Sequence, residues 1–116
     1  MAAEIRILRT GDEHVLANVA EGVFDYPVRV ELLTELLTDS RHHLAVAVDE
    51  RLVVGFASGV HYVHPDKLPE LWVNEVGVAP THQRQGLGRR LLQALLEEGR
   101  ASGCALAWVL TDRGNA

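Results

Sequence analysis

The sequence predicts an α/β (α+β) fold in which helices flank a mixed, mostly antiparallel sheet. Residues 44–48 and 52–57 are apolar, valine-rich runs separated by the polar turn 49–51, which is the pattern of a β-hairpin. The second half of the chain predicts a strand, a glycine-containing loop, an amphipathic helix and a further strand, and such a β-α-β unit pairs its two strands in parallel. With 116 residues, 47% of them apolar and 23% charged, the chain suits one domain over residues 1–116.

The elements before the hairpin are a strand and two helices. Residues 5–9 alternate weakly and predict the first strand. Valines and a leucine recur at helical spacing after Asp12, which predicts a helix that extends to a turn at residues 24–27. Pro27 is suited to the first turn of a second helix, whose leucines at helical spacing end near Asp39.

The elements from the hairpin onward follow in the order strand, strand, strand, helix, strand. The second hairpin strand can extend to Tyr62, and two prolines make residues 64–69 a loop. Residues 71–79 predict the next strand, which stops at Pro80. Leucines from residue 87 to about Arg100 predict the helix, and residues 104–110 the last strand.

Charge and composition exclude several functions. The formal net charge is −5, with six basic and thirteen acidic side chains in residues 1–75 and five basic and three acidic in residues 76–116. Nucleic-acid binding needs clustered Lys and Arg and is not expected, whereas the positive second part suggests one local anion site. No apolar run approaches the length of a membrane span, and the single cysteine, Cys104, fits a reducing cytoplasm, so we expect a cytoplasmic protein with no membrane partner.

One segment carries a recognisable ligand-binding pattern. Gly86 and Gly88 lie where the strand over residues 71–79 leads into a helix, and a helix start presents unpaired N–H groups that bind phosphate. Arg84, Arg89 and Arg90 add positive charge. The spacing excludes a Walker A loop and a dinucleotide-binding fingerprint, because Gly-Lys-Ser/Thr is missing and no third glycine follows Gly88 at the required distance.

Residues 83–88, Gln-Arg-Gln-Gly-Leu-Gly, match the pattern Gln/Arg-x-x-Gly-x-Gly/Ala. The segment, the preceding Val-Gly-Val and the order of elements resemble the GNAT superfamily of acyl-CoA N-acyltransferases. The resemblance implies acetyl-CoA as acyl donor, a primary amine as acceptor, direct attack of the amine on the thioester and no metal. A more distant resemblance to aminoglycoside 3-N-acetyltransferases implies an aminoglycoside acceptor.

The resemblance also implies residue roles. The strand over residues 71–79 would carry a bulge, which Gly77 would suit, although a glycine there could instead ease strand packing. Backbone groups of Val76 and Val78 would hold the pantetheine arm, the N–H of Val78 would polarise the thioester carbonyl, and N–H groups from about Arg84 to Arg89 would cradle the pyrophosphate. The complete set of expected cofactor-binding residues is Val76, Gly77, Val78, Gln83, Arg84, Gln85, Gly86, Leu87, Gly88, Arg89 and Asn115.

Glu75 is the expected catalytic residue. An alkylamine is mostly protonated at neutral pH, so acyl transfer to it needs a base, and Glu75 precedes the expected pantetheine contacts directly. The other interpretation is a surface carboxylate that only binds the cationic acceptor. Further carboxylates at Asp25, Asp66 and Glu70 would also suit a polycationic aminoglycoside.

In the resembled family an Asn-x-x-Ala helix and two more strands follow the strand over residues 104–110, and the tyrosine often found there has no counterpart in this sequence. Asn115 would belong to the start of that helix. The sequence as given therefore predicts a sheet without those last elements, and a homodimer that covers the exposed strand edge.

Two further classes of function remain open at this point. A truncated acyl-CoA-binding or interaction module would keep the cofactor segment without catalysis. A metal-binding regulatory domain would use the histidines at 42, 43, 61 and 64, although strand and loop spacing predicts no convergent set.

Overall fold

Five strands form one sheet in a computed structural model, which describes residues 3–109. The strands follow the chain order, so each neighbours the next. The elements are β1 (Glu4–Ile7), α1 (Val30–Thr38), β2 (His42–Asp49), β3 (Leu52–Tyr62), β4 (Glu70–Val78), α2 (Leu87–Ala101) and β5 (Leu106–Val109), with short 3₁₀ turns at Glu13–Ala17 and Pro80–His82.

The pairing confirms the predicted fold class. Strands β1 to β4 pair antiparallel, including the predicted hairpin of β2 and β3. The crossover through α2 makes β5 parallel to β4, with Glu70 opposite Leu106 and Val73 opposite Val109. The sheet is therefore mixed and mostly antiparallel.

The predicted first helix is wrong beyond its first turns. Only Glu13–Ala17 is helical, as a 3₁₀ turn. The chain after it is held by the backbone of Val53, which donates to Asn18 O (2.9 Å) and accepts from Ala20 N (2.8 Å). The helical spacing of the valines was misleading because this backbone pairing outweighs a weak local preference.

The second helix exists but begins later than predicted. Its first residue is Val30 rather than Pro27, and Arg29 is the N-terminal cap. The two buried leucines of α1, Leu33 and Leu37, lie on the helix face that the leucine spacing predicted.

Helices cover opposite faces of the sheet. Leu87, Leu91 and Leu95 of α2 are buried on one face, where an added Cβ on Gly55 would lie 3.0 Å from Leu91. Phe56, the next residue of β3, faces a cavity on the other side together with Leu33 of α1. The core therefore has two layers, and the second layer contains the cavity.

A β-bulge interrupts β4, but Gly77 is not its cause. Ser58 lies opposite Glu75 while the next residue, Gly59, lies opposite Val73, so Asn74 is the extra residue. Gly77 is in regular register with Phe56. A Cβ on Gly77 would come within 2.6 Å of the carbonyl oxygen of Val23, so this glycine allows the loop after the first 3₁₀ turn to approach the strand.

Candidate active site

The bulge at Asn74 determines which way Glu75 faces. Leu71 packs on Gly99 of α2, so by simple alternation residues 73 and 75 would face the same helix. The extra residue shifts this alternation by one, and Glu75 instead lines the cavity on the opposite face. The exposed carboxylate of Glu75 thus reaches a pocket.

That cavity has a volume of about 680 Å³, within the range of small-molecule sites. Its lining comes from the first 3₁₀ turn, the loop before α1, α1 itself and strands β2 to β4. Most lining side chains are apolar, among them Phe24, Tyr26 and Leu32, and the ring centroids of Phe24 and Phe56 are 4.3 Å apart. The charged side chains in the lining are Asp25, Arg29 and Glu75.

The backbone of β4 beyond the bulge presents an edge that β5 does not cover. Pairing with β5 ends at Val73 within residues 3–109. The N–H of Ala79 donates to Val54 O (2.8 Å), so the amides of Gly77 and Ala79 point toward β3. By alternation, those of Val76 and Val78 point toward the uncovered edge.

The side chain of Gln83 closes part of this edge. Its amide Nε2 donates to the carbonyl oxygen of Val78 at 3.2 Å. The N–H of Val78 lies on the same edge as that carbonyl, because both groups of one residue point the same way in an antiparallel strand. The strand edge and the loop that follows it are thereby joined into one surface.

The loop from Gln83 to Gly86 leads directly into the N-terminus of α2. Gly86 is the N-terminal cap with φ = 78°, and no side chain caps the helix. The first helical hydrogen bond runs from Arg90 N to Gly86 O (3.1 Å), so the N–H groups of residues 87–89 precede the helical ladder. Arg84 also has a left-handed backbone (φ = 65°), a conformation that costs a non-glycine residue about 1 kcal/mol or more.

Both glycines of the loop face free space. An ideal Cβ on Gly86 meets nothing within 4 Å, and one on Gly88 meets only Val76 Cγ1 at 4.0 Å. The side chain of Leu87 between them is buried, so only its backbone can contribute to a ligand site. Arg89 is exposed, whereas Arg90 donates to Ala3 O at 3.0 Å.

A polar chain that sequence reasoning missed anchors this loop to the β2–β3 hairpin. His82 Nε2 lies 2.8 Å from Asp49 Oδ2, and His82 Nδ1 lies 2.8 Å from Thr81 Oγ1. His82 and Asp49 are 33 positions apart in the sequence, so no local pattern indicates the contact.

The structure brings two of the four histidines weighed as metal ligands together. His43 Nε2 lies 2.8 Å from His61 Nδ1, while His42 approaches Asp39 and His64 approaches Glu70. The buried His43 also contacts the part-buried Glu98, which in turn pairs with the exposed Arg9. No three His, Cys, Asp or Glu side chains within residues 3–109 are grouped so that they could hold a metal ion.

The other residues assigned from sequence lie elsewhere. Asp66 pairs with Lys67 in the loop before β4, and Glu70 accepts a hydrogen bond from Trp108 Nε1 at 2.7 Å, so neither lines the cavity. Asn115 lies outside the described residues. Burial raises the pKa of the Cys104 thiol, as expected for a packing residue. No helix in the described part of the chain is long and apolar enough to cross a bilayer.

The chain is similar in sequence to a known acetyltransferase. A mycothiol acetyltransferase of Saccharopolyspora erythraea is 34% identical over 123 aligned positions, covering 96% of this chain and 39% of that protein. The chain thus spans well under half the length of this relative.

Solved structures share the fold. An aminoglycoside acetyltransferase from an uncultured soil metagenomic sample has a TM-score of 0.79 at 22% identity, over 97% of this chain and 82% of that one. Glucosamine-6-phosphate N-acetyltransferase from Arabidopsis thaliana has a TM-score of 0.74 at 16% identity, over 99% of this chain and 86% of that one.

Sequence similarity reaches across nearly the whole chain. The profile of the acetyltransferase (GNAT) family matches residues 11–116, which include the bulged strand, the loop and the α2 N-terminus. With its motif, its fold and this match, the chain belongs to the GNAT family of acetyltransferases.

Proposed function

We propose that this protein is an N-acetyltransferase that moves the acetyl group of acetyl-CoA to a primary amine. The observation that carries the proposal is the bulge at Asn74, which places Glu75 at the cavity while the amides of Val76 and Val78 point to the uncovered edge. Acyl transfer to an amine requires a base near the acceptor nitrogen and a hydrogen-bond donor near the thioester carbonyl oxygen. In this proposal Glu75 is the base and the N–H of Val78 is the donor.

Glu75 acts as the base in this proposal. Its carboxylate takes a proton from the ammonium of the acceptor, directly or through one water. The neutral nitrogen then forms a bond to the thioester carbonyl carbon, and the C–S bond breaks as the sulfur leaves as the thiolate of CoA. The nitrogen loses its second proton to solvent water, which leaves a neutral amide, and the thiolate takes up a proton from water. The N–H of Val78 donates to the carbonyl oxygen as negative charge develops there.

The loop and helix start hold the donor. The N–H groups of residues 87–89 precede the helical ladder at the positive end of the helix dipole, which suits a pyrophosphate. Arg84 and Arg89 supply exposed positive charge, and the free space over Gly86 and Gly88 admits the phosphates close to the backbone. Gln83, Gln85 and Leu87, also members of the expected set, contribute backbone or edge contacts in this proposal. The backbone of Gly77 points toward β3, so its role and that of Asn115 stay predictions.

The acceptor is a cationic amine in this proposal because Asp25 and Glu75 both line the cavity. Aminoglycosides are one class to test, since a protein of the same fold is an aminoglycoside acetyltransferase. The likeness to a mycothiol acetyltransferase supports acetyl transfer in general.

The direct test measures thiol release from acetyl-CoA in the presence of a panel of amines. It compares the unsubstituted protein, called the parent below, with the variant Glu75→Gln. The parent is expected to release thiol with at least one amine. Glu75→Gln should lower the rate about 100-fold, because general base catalysis contributes roughly 10²–10⁴-fold. Its affinity for acetyl-CoA should stay within about twofold, since the donor contacts are backbone groups.

The matched control is Glu97→Gln, an exposed carboxylate on α2 away from the cavity, which should leave the rate unchanged. An unaltered rate in Glu75→Gln would remove Glu75 from the mechanism. Binding of acetyl-CoA without thiol release for any amine would instead identify an acyl-CoA-binding module.

The assembly and location stay proposals. We propose a homodimer formed through β5, whose four residues are all exposed in the structure. A cytoplasmic location remains the prediction made from the single cysteine.

A further inference from the structure

We propose that the acceptor is a primary monoamine with an apolar body, such as an arylalkylamine, and not a polycationic aminoglycoside. This inference rests on the proposed acetyltransferase function and names the substrate class of the same site. Three observations on the cavity support it: its apolar lining, its small number of carboxylates, and the position of Glu75.

The lining of the cavity is suited to an apolar ligand. Ten of its fourteen lining side chains are Leu, Val, Phe, Tyr or Pro. The rings of Phe24 and Phe56 pack in a tilted arrangement with centroids 4.3 Å apart, and Leu32 and Leu36 of α1 also line the cavity. Burying hydroxyl-rich sugar rings against such a surface would leave their polar groups without partners, which costs free energy.

The charges at the cavity suit a single ammonium. Among residues 3–109, two carboxylates line it, those of Asp25 and Glu75, and one cation, Arg29, which is held by Glu31 at 2.7 Å. Asp66 and Glu70, which were also expected to bind a polycation, lie outside the cavity. Asp66 pairs with Lys67, and Glu70 accepts a hydrogen bond from Trp108. An aminoglycoside with several ammonium groups would therefore meet too few carboxylates.

The position of Glu75 fixes the orientation of the ligand. Glu75 is on β4, at the boundary between the cavity and the edge that carries the amides of Val76 and Val78. The ammonium of the acceptor must lie near that carboxylate to be deprotonated. The rest of the molecule then extends toward Leu32 and Tyr26, which are exposed at the cavity mouth.

The test compares kcat/KM for thiol release with three amines: 2-phenylethylamine, ethanolamine and kanamycin. The first two share a primary ammonium on a two-carbon chain and differ in their apolar body. We expect kcat/KM for 2-phenylethylamine to exceed that of each of the others at least about tenfold, because even one methylene group in an apolar pocket is worth roughly 10-fold or more.

A pair of leucine variants assigns this preference to the cavity. Leu32→Gln changes a 54% exposed leucine at the mouth, and Leu68→Gln changes a 63% exposed leucine in the loop before β4, away from the cavity. Leu32→Gln should raise KM for 2-phenylethylamine roughly fivefold with kcat nearly unchanged, since ground-state and transition-state contacts are lost equally. Leu68→Gln should change neither constant.

The outcomes separate the inference from the proposed function. A higher kcat/KM with kanamycin than with 2-phenylethylamine would overturn the acceptor assignment and leave the acetyltransferase proposal intact. Equal effects of the two leucine variants on KM would also overturn the assignment. No thiol release with any amine would overturn the proposed function itself.

Discussion

Gly86 and Gly88 are two residues apart but are glycine for different reasons. Gly86 has φ = 78°, so every other L-residue is strained there whatever space surrounds it. Gly88 has an ordinary helical backbone and only Val76 Cγ1 at 4.0 Å, so nothing in the protein itself requires a glycine. A glycine within a helix costs stability, and at Gly88 the compensation that we propose is close access of the donor to the backbone.

Gly88 therefore offers a test that separates stability from donor binding. Gly88→Ala should stabilise the protein by up to about 1 kcal/mol, or about 4 °C in Tm, and keep acetyl-CoA binding, because the family pattern admits alanine here. Gly88→Leu should also keep the helix but weaken acetyl-CoA binding at least about tenfold, since its side chain fills the approach of the phosphates. Thermal unfolding and calorimetry measure the two effects.

Equal acetyl-CoA affinity in the alanine and leucine variants would mean that no ligand approaches Gly88. A loss of affinity in both variants, with raised Tm, would place the ligand closer to the backbone than the pattern indicates. The same comparison at Gly86 is unsuitable because backbone strain there would affect folding as well.

Residue identities indicated a candidate site but not its local backbone geometry. The loop at residues 83–88 and Glu75 could be selected from sequence because glycines before a helix and a carboxylate before Val-Gly-Val are visible in a single pattern. Gly77 was expected either to suit the bulge or to ease packing; the bulge lies at Asn74, and Gly77 instead allows a close approach of the backbone at Val23. Register depends on the partner strand, so a single strand's sequence does not reveal which residue is extra.

At the scale of elements, a polar chain ties α2 to the sheet. Arg9, just after β1, forms a bidentate ion pair with Glu98 of α2, and Glu98 approaches His43 Nδ1 of β2 at 3.5 Å. His61 of β3 lies on the other side of His43 at 2.8 Å. These four side chains thus connect α2 to β2, to β3 and to the segment that follows β1.

The contacts among Arg9, Glu98, His43 and His61 make the stability of the fold depend on pH. Burial, assisted by the neighbouring His61, lowers the pKa of His43, although Glu98 opposes this. The hydrogen bond from Arg9 lowers the pKa of Glu98. The unfolded chain binds more protons than the folded one in both cases, so stability is present above the unfolded pKa values, near 6.5 and 4.5, and falls with pH below them.

We expect the free energy of unfolding to begin falling as pH drops below about 6.5, where His43 would titrate in the unfolded chain. His43→Gln should reduce the loss of stability between pH 7 and pH 5, measured by urea unfolding, whatever its effect at pH 7. His42→Gln, at the exposed neighbouring position, serves as control and should keep the parent's pH dependence. An identical slope in the parent and His43→Gln would exclude His43 as the source.

Element prediction succeeded where the local pattern is strong and the connections are short, and it failed where pairing with a distant strand overrides the local pattern. The hairpin of β2 and β3 and the helix α2 have strong patterns and short connections, and both are confirmed. The helix predicted after Asp12 ended at Ala17, because the backbone of Val53 takes residues 18–20 as pairing partners. A local pattern contains no information about such a distant partner.

At the scale of the whole molecule, β5 is the final strand of the sheet within residues 3–109. Leu106, Trp108 and Val109 are 56%, 47% and 44% exposed. An apolar strand at a sheet edge favours pairing with another chain, and a lysine on it opposes such pairing. This exposure is the basis of the proposed homodimer.

We expect a dimer of the parent at micromolar concentration in sedimentation velocity, and a shift toward monomer in Val109→Lys. Val63→Lys, which adds the same charge at an exposed valine of the loop after β3, should leave the dimer unchanged. A strictly monomeric parent would contradict the homodimer. An equal shift in both variants would indicate a general effect of charge and exclude β5 as the interface.

The order of elements along the chain predicted the architecture. A strand, helix and strand in succession predicted the parallel pair, and β4 and β5 form it, because the crossover can return to the sheet only in one direction. The cavity was not predictable, since its lining comes from segments between Leu16 and Glu75 that only the fold assembles. The single domain over residues 1–116 stays a prediction.

A contact between α2 and β4, far from the proposed donor site, affects how the two elements that form the site are positioned. Gly99 packs so closely on Leu71 that an added Cβ would lie 2.8 Å from Leu71 Cδ2. Thirteen helical residues, about 20 Å, separate Gly99 from Gly86. The helix and the strand carry the two halves of the proposed donor site, and a side chain at position 99 would force Leu71 or the helix to move. A substitution at this buried glycine is therefore expected to change donor affinity wherever the helix moves, although none of the proposed contact residues is altered.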